Sequence, residues 1–457
     1  MPNSGNPSRR VATSSAILVA ESALRIGLTA LISFWMARQL GPQGFGVLNA
    51  AMAATWILIV MASLGLDVPA VLRLARADNH DGSDDERARL LATVLMLRAL
   101  AALPAVAAAV ALAWLLHGND RTALAVSLIV TLAIVGYVPS VLDVWFRSRT
   151  QAAPLAAARL SATGVSSAVK LAILFNGGDL VALAWAVVLE AVLYSAILCA
   201  LLWRSADRPR GPWRVDAGMA RALLRQSAPV LVAASIAMVY MKSDLLLISA
   251  LTDHTQTGLY ALAQKLSEVL YIVPVVIIDS LYPMLAARAA PQAQLATTTP
   301  EPLLFDLAAA AAMAVVVLGL LVATPLVRWV FGEAYAPSLA LFAVHAWTCV
   351  AVALDTARQR WLVAAGLQRC TPWLAGSGAL LAIGLNLALL PSFGAMGAAC
   401  AALVASVVAA IGSSFFFPQT RAVGWVQCRA LWPWFRLWRL ARGAASDTRI
   451  AAATSPP

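Results

Sequence analysis

Residues 171–187 read LAILFNGGDLVALAWAV, and residues 387–403 read LALLPSFGAMGAACAAL. Laid over one another, a shift of 216 positions, Leu171, Ala172, Leu174, Gly178, Ala182 and Ala186 meet Leu387, Ala388, Leu390, Gly394, Ala398 and Ala402. A shift of 212 sets Leu142-Asp143 over Leu354-Asp355 and Gly46 over Gly258. In an alanine-rich chain the Ala matches carry little weight, and the Gly and Asp matches at nearly one shift carry more. Each quoted stretch holds apolar segments on either side of a Gly-containing turn. The displacement covers six such segments, an even number, so the halves run in the same direction as a parallel repeat.

Working outward, apolar runs fall near residues 12–40, 45–66, 89–116, 122–146, 152–175, 179–203, 222–250, 257–285, 303–330, 337–357, 362–390 and 395–417. Each is long enough to cross a hydrocarbon core of about 30 Å, which needs ~20 residues of helix. The run at 337–357 and its successor are the least regular, because Asp355, Arg358 and Arg360 interrupt them. Composition agrees: 61% of the 457 residues are hydrophobic, 12% are charged and mean hydropathy is +0.79. Soluble domains carry about 25% charged residues. The fold class expected is therefore all-α and integral to the membrane, with about twelve transmembrane helices in two pseudo-symmetric six-helix bundles. The expected organisation is a cytoplasmic N-terminus (1–11), an N-lobe (12–203), a linker (204–221), a C-lobe (222–417) and a basic, Trp-rich cytoplasmic tail (418–457).

A net charge of +11 would point to nucleic acid in a soluble protein. Here membrane topology accounts for it, since cytoplasmic loops collect Lys and Arg. With the N-terminus placed inside, 24 basic residues fall on the cytoplasmic side and only Arg38, Arg121 and Arg328 on the other. A wrong helix count would scramble that alternation, so both ends are expected inside. Arg9 and Arg10 before an apolar stretch imitate a signal peptide, but the stretch continues to about Leu40, carries Glu21 and Arg25 and lacks a cleavage site. The five cysteines are scattered and form no disulfide or metal framework. No cofactor and no metal site are expected.

Six basic residues remain inside the expected spans: Arg25, Arg98, Arg159, Lys170, Lys242 and Lys265. Facing lipid, they would together cost on the order of 15–20 kcal/mol on insertion scales. Most must face a protein interior or a wet cavity, while Arg159 lies close enough to a helix end to snorkel.

ARQLGPQGFGVLNAA (residues 37–51), SLGLD (63–67), KSDLLLISALTDHTQTGLYALAQKL (242–266) and NLALLPSFGAMGAACAAL (386–403) occur in this order. Together they resemble the first-helix turn, second-helix end, seventh-to-eighth and eleventh-to-twelfth helices of Wzx-type polysaccharide flippases. That superfamily also holds multidrug exporters and the lipid II flippase. The resemblance runs from about Ser14 to Phe417. It implies two bundles around a central cavity, alternating access, a bacterial inner-membrane location and a monomer. The implied partners are a polyprenyl-pyrophosphate-linked glycan, the lipid bilayer and other polysaccharide assembly proteins, with no nucleic acid.

A cationic cavity suits such a substrate, because Arg and Lys donate charge-assisted hydrogen bonds to phosphate. Arg25 lies mid-way along the first helix and Lys242 at about the same depth of the seventh, so each half offers one cation. Lys265 falls at a similar depth on the eighth helix, and Arg98 in the inner half of the third. These four are the candidate substrate-binding residues, for a pyrophosphate or an acidic sugar. The competing reading is local ion pairing: Glu21 stands four residues before Arg25 and Glu268 three after Lys265, both good helix spacings. Glu190, mid-span with no basic neighbour on its own helix, is a candidate for proton coupling, as are Asp244 and Asp279; pairing with a cation on another helix is the alternative.

Other features read as structural. His345 is the only histidine deep in a span and is expected to be packed or hydrogen-bonded. Pro104, Pro139, Pro274 and Pro325 are expected to kink helices, which neighbours can repair. DNHDGSDDER (78–87) has loosely EF-hand-like carboxylates but lacks the twelfth-position ligand and the helical frame. The tail from Trp425 to Arg442 mixes Trp with Arg as an interfacial segment does. A multidrug-type exporter of the same fold remains open, although such exporters are expected to carry more acidic than basic cavity residues. A membrane enzyme of glycan assembly is the weaker alternative, since every outer loop is short and no catalytic set stands out.

Overall fold

Gly41 and Gly394 decide how often the chain crosses the membrane. In the computed structural model, residues 7–79, 84–205, 207–289 and 300–432 are described. Ten of their helical segments are long and apolar enough to cross. Two of these, Ile17–Ala62 and Gln368–Phe415, have 46 and 48 residues, and a straight helix of that length would reach ~70 Å, more than twice the hydrocarbon core. Each turns back on itself at one left-handed glycine, Gly41 (φ +64°) and Gly394 (φ +56°). Only glycine enters that region without a Cβ penalty. Counting both limbs of each gives the twelve spans expected.

The helices in chain order are α1 (Pro7–Ala62), α2 (Asp67–Asn79), α3 (Asp84–His117), α4 (Arg121–Gly136), α5 (Asp143–Ser148), α6 (Ala152–Phe175) and α7 (Leu180–Arg204). They continue with α8 (Ala217–Leu251), α9 (His254–Ala289), α10 (Pro302–Leu326), α11 (Ser338–His345), α12 (Thr348–Ala364), α13 (Thr371–Ala410) and α14 (Arg421–Ala430). Local chemistry fixes the boundaries. Asp120, Asp179 and Asp216 cap α4, α7 and α8, each accepting backbone N–H bonds at 2.9–3.0 Å. The repeat is imperfect at its best-matched turn: the left-handed residue is Gly177 in the first half but Gly394, the partner of Gly178, in the second.

By contacts the chain divides into two compact units, Met1–Gly258 and Leu259–Pro457. In the first, α4 packs on α7, α6 on α7 and α1, and α8 lies along α1 while also touching α2 and α3. The chain between α7 and α8 is held down: Pro209 is buried, a Cβ on Gly211 would stand 2.5 Å from Asp85 Cα, and the Asp216 amide donates to Thr93 Oγ1 at 3.1 Å.

The same unit holds a reciprocal contact. A Cβ added to Gly46 would lie 1.9 Å from the His254 carbonyl oxygen, and one added to Gly258 would lie 1.8 Å from the Pro42 carbonyl oxygen. The shift that maps Gly46 onto Gly258 also maps Pro42 onto His254, so the two backbones meet about a local two-fold axis. The glycine match in the sequence is thus a close approach of main chains, which only a missing side chain permits.

In the second unit α10 and α13 pack on α12, and α14 docks on α10. Arg358 is here a correction: assigned to a loop by charge counting, it lies on α12 and is 1% exposed. Its Nη1 donates to Ser413 Oγ (2.8 Å) and Ser414 Oγ (3.0 Å), and its Nη2 donates to Ala409 O (2.9 Å) and to Asp355. Of the expected interfacial tail only the start, through Trp432, lies within the described residues. Along α14, Val423, Gly424, Gln427 and Ala430 are buried, and Gln427 bridges Ser414 Oγ (2.9 Å) and Leu354 O (3.1 Å). Trp425, like Arg421, Ala422 and Arg429, is exposed, with its ring edge-on to Phe415 at 5.4 Å. Residues 80–83 of the acidic stretch and the tail beyond Trp432 lie outside the described residues. His345 is buried and edge-on to Tyr260 at 5.6 Å, the packed role expected of it.

Candidate functional site

Two breaks in the helices build a polar cavity inside the first unit. SLGLD is a left-handed turn between α1 and α2: Leu64 (φ +54°) and Gly65 (φ +63°) reverse the chain, and Ser63 Oγ accepts from the Gly65 amide at 3.3 Å. A bulky residue at positive φ is uncommon and holds its place only where its surroundings over-determine it. The turn starts α2 at Asp67 and leaves that carboxylate beside α3. The second break follows α4, where Pro139 falls in a 3-10 stretch, Val138–Leu142, before α5 begins at Asp143. Pro lacks the N–H that a continuing helix needs. Tyr137 and Ser140 line the cavity at this break, and Trp145 is anchored in the apolar cluster beneath.

The cavity between these breaks measures about 260 Å³. Trp56, Ser63, Asp67, Arg98, Tyr137, Ser140, Asp143, Arg147, Arg159 and Tyr194 are among its lining. Arg98 donates through Nη2 to Asp67 Oδ1 at 2.6 Å and through Nη1 to Ser140 Oγ at 3.3 Å. Asp143 Oδ2 accepts from Arg147 (2.5 Å) and Arg159 (3.4 Å). Arg159 Nε donates to the Tyr194 hydroxyl at 3.2 Å, and its Nη1 stands 3.9 Å from Glu21 Oε2. Glu21 also accepts from Arg25 Nε at 2.9 Å. A relay of opposite charges thus runs Arg25, Glu21, Arg159, Asp143, Arg147. The Trp56 and Tyr137 rings lie 5.5 Å apart at the cavity wall.

The candidate residues are placed as follows. Arg98 is buried on the cavity wall. Arg25 joins the same network through Glu21 and keeps 38% of its side chain exposed. Lys242 is half-buried on α8. Lys265 is half-buried on α9 and belongs to the second unit. Glu190 has the cation that its own helix lacks: Lys170 on α6 donates to Oε2 at 2.9 Å and Thr163 to Oε1 at 3.0 Å. The premise of an isolated carboxylate is therefore corrected. Asp244 is buried on α8, and Asp279 pairs with Arg360 at 2.7 Å.

Arg159 is the residue that sequence reasoning undervalued. It does not reach for the membrane surface; Tyr194 of α7, Asp143 of α5 and Glu21 of α1 hold it inside. Asp143 had a signal, its match with Asp355 in the repeat. Both pair with an arginine on the next turn, Arg147 and Arg358. Tyr194 and Trp56 had none. Among the described residues no cluster of His, Cys, Asp and Glu could hold a metal ion.

Residues 12–288 match the family model described as polysaccharide biosynthesis protein. The chain belongs to that family. No curated protein sequence matches it. Several solved structures share its fold. An inward-facing multidrug-resistance MATE transporter of the MOP superfamily superposes with a TM-score of 0.70 at 14% identity, covering 90% of this chain and 95% of that one. Lipid II flippase MurJ, in an inward closed conformation, gives 0.69 at 12% identity and 92% of each chain. A MOP-superfamily transporter from Pyrococcus furiosus, described as having a binding pocket of reversed polarity, gives 0.54 at 14% identity over 93% of this chain and 96% of that one. At such identities the likeness establishes the fold. The chain is a multi-pass membrane protein that shares the fold of these solved structures.

Proposed function

We propose that the protein flips a polyprenyl-pyrophosphate-linked oligosaccharide across the bacterial inner membrane by alternating access, for surface polysaccharide assembly. The observation that carries this is an arginine-rich cavity within the membrane-spanning helices of a polysaccharide biosynthesis family member. In this reading both termini are cytoplasmic, the protein acts as a monomer, and other polysaccharide assembly proteins supply and consume its substrate. The fold is equally that of multidrug exporters, but three arginines against two aspartates line the cavity, a poor setting for a cationic drug.

Arg25, Arg98, Lys242 and Lys265 are the proposed headgroup cations. Among the described residues Arg25 spends only Nε, on Glu21, so its outer nitrogens can fork a phosphate. Hydrogen bonds to charged groups contribute ~1.5–3 kcal/mol. Alanine at Arg25 or Lys242 is therefore expected to lower polysaccharide export about 10- to 100-fold at unchanged protein level, measured in a deletion strain that accumulates the lipid-linked intermediate. Undiminished export by both variants would sink the reading.

Glu190 is the proposed proton carrier, with Asp244 and Asp279 as the other candidates. Protonating Glu190 would release Lys170 and weaken one of the polar links between α6 and α7. Transport by the Glu190→Gln variant is expected to lose its dependence on pH; a profile like that of the native protein removes Glu190 from the role.

A further inference from the structure

The cavity in the first unit has chemistry that a pyrophosphate would not choose. Each of its arginines is already matched to a carboxylate: Arg98 to Asp67, and Arg147 and Arg159 to Asp143. An entering pyrophosphate would have to displace these carboxylates and then sit beside them, and like charges so close disfavour one another. An uncharged polyhydroxylated ligand meets no such conflict. Its hydroxyls can donate to Asp67 and Asp143 and accept from the guanidinium groups, so that both halves of each ion pair gain a partner. Arg98 Nε is buried without a protein acceptor, one donor still to be satisfied.

The rest of the wall points the same way. Trp56 and Tyr137, 5.5 Å apart and tilted by 44°, both line the cavity, and aromatic side chains combine apolar area with few lost rotamers, as suits the C–H face of a pyranose ring. The Ser63 and Ser140 hydroxyls and the Tyr194 phenol complete a lining of neutral polar groups. The volume, about 260 Å³, lies below the roughly 300–1,000 Å³ of sites that enclose a whole drug-sized ligand. It suits a piece of a headgroup.

From this juxtaposition of two aromatic rings and paired arginines and carboxylates in one lining, we infer that the cavity is a subsite for an uncharged sugar unit of the cargo, distinct in role from the cations that take its phosphates. The inference rests on the flippase reading and refines it: Arg98 moves from phosphate binding to sugar binding. Trp56 and Tyr137 become residues that set glycan specificity.

The test uses the full chain purified into lipid nanodiscs. The probes are undecaprenyl pyrophosphate alone and the same carrier bearing a single hexose, N-acetylhexosamine, 6-deoxyhexose or uronic acid. At least one neutral sugar is expected to tighten binding tenfold or more over the bare carrier, with the uronic acid giving no gain. Trp56→Ala and Tyr137→Ala are expected to erase that gain and leave affinity for the bare carrier within twofold. Trp56→Phe, which keeps a ring, retains most of the gain and controls for folding. Equal affinity of the native protein for bare and glycosylated carriers overturns the subsite, as does a loss for the bare carrier matching that for the glycosylated one. The flippase reading survives either result; failure to bind any form of the carrier would overturn both.

Discussion

Arg358→Met is expected to destabilise the second unit by about 3–5 kcal/mol, because it strips several charge-assisted hydrogen bonds, at ~1.5–3 kcal/mol each, from acceptors in a buried cluster. One guanidinium here ties three helical segments: it reaches Asp355 on its own helix, the Ala409 carbonyl near the end of α13, and the hydroxyls of Ser413 and Ser414 in the turn that follows. Methionine fills much of the volume and makes none of these bonds. Gln427 of α14 shares Ser414, so α14 should loosen along with the turn. Arg358→Lys is expected to recover little, because a single ammonium cannot span the fork that the guanidinium fills. Asp355→Asn is expected to be costly as well, because it leaves the buried Arg358 cation with only neutral acceptors. Unfolding of the detergent-purified variants measures all three. A loss below ~1 kcal/mol for Arg358→Met, the scale of a single ordinary hydrogen bond, would show that the cluster is incidental.

The second large effect is steric. Gly258→Val places a Cβ where the Pro42 carbonyl oxygen now stands at 1.8 Å, and Gly46→Val does the same against His254 at 1.9 Å. Neither obstacle is the tip of a flexible side chain, so the main chains themselves must part. Overpacking a tight site typically costs 1–3 kcal/mol, and a clash of backbone against backbone belongs at about 3 kcal/mol. Because the contact is reciprocal, the two single variants should cost nearly the same. The double variant should cost much less than their sum, since the approach is lost only once. A double-mutant cycle decides the point: strict additivity would show that the two glycines do not share one contact.

Much of this fold was legible in the sequence because a bilayer imposes simple demands. Length and apolarity marked the spans, and the turns at Gly41 and Gly394 fell where the polar breaks and the repeat placed them. Short amphipathic helices escaped: α2 and α14 are too brief and too mixed to register as spans, although both hold polar side chains against a lobe. The site was half legible. Glu21 and Arg25 pair at a spacing visible on one helix, and the structure has that bond. Lys170 with Glu190, and Arg159 with Asp143 and Tyr194, pair across helices. One-dimensional spacing says nothing of which helices are neighbours. Arg358 was misplaced for a related reason: a charge near an expected span end counts as a loop residue until a helix is known to surround it.

The way α8 packs has a consequence for synthesis. A membrane protein emerges span by span, and a unit can close only when its last member has been made. The six spans that end with α7 leave uncovered the face of α1 on which α8 later lies, and Gly65, whose backbone approaches Leu231, has nothing to meet. About 50 further residues must be translated before the unit that ends at Gly258 is whole, roughly 3–10 s at ~5–20 residues per second. During that interval the half-built bundle holds several arginines within the bilayer and an open flank along its longest helix. It is then that an insertase or a neighbouring lipid must stand in for α8.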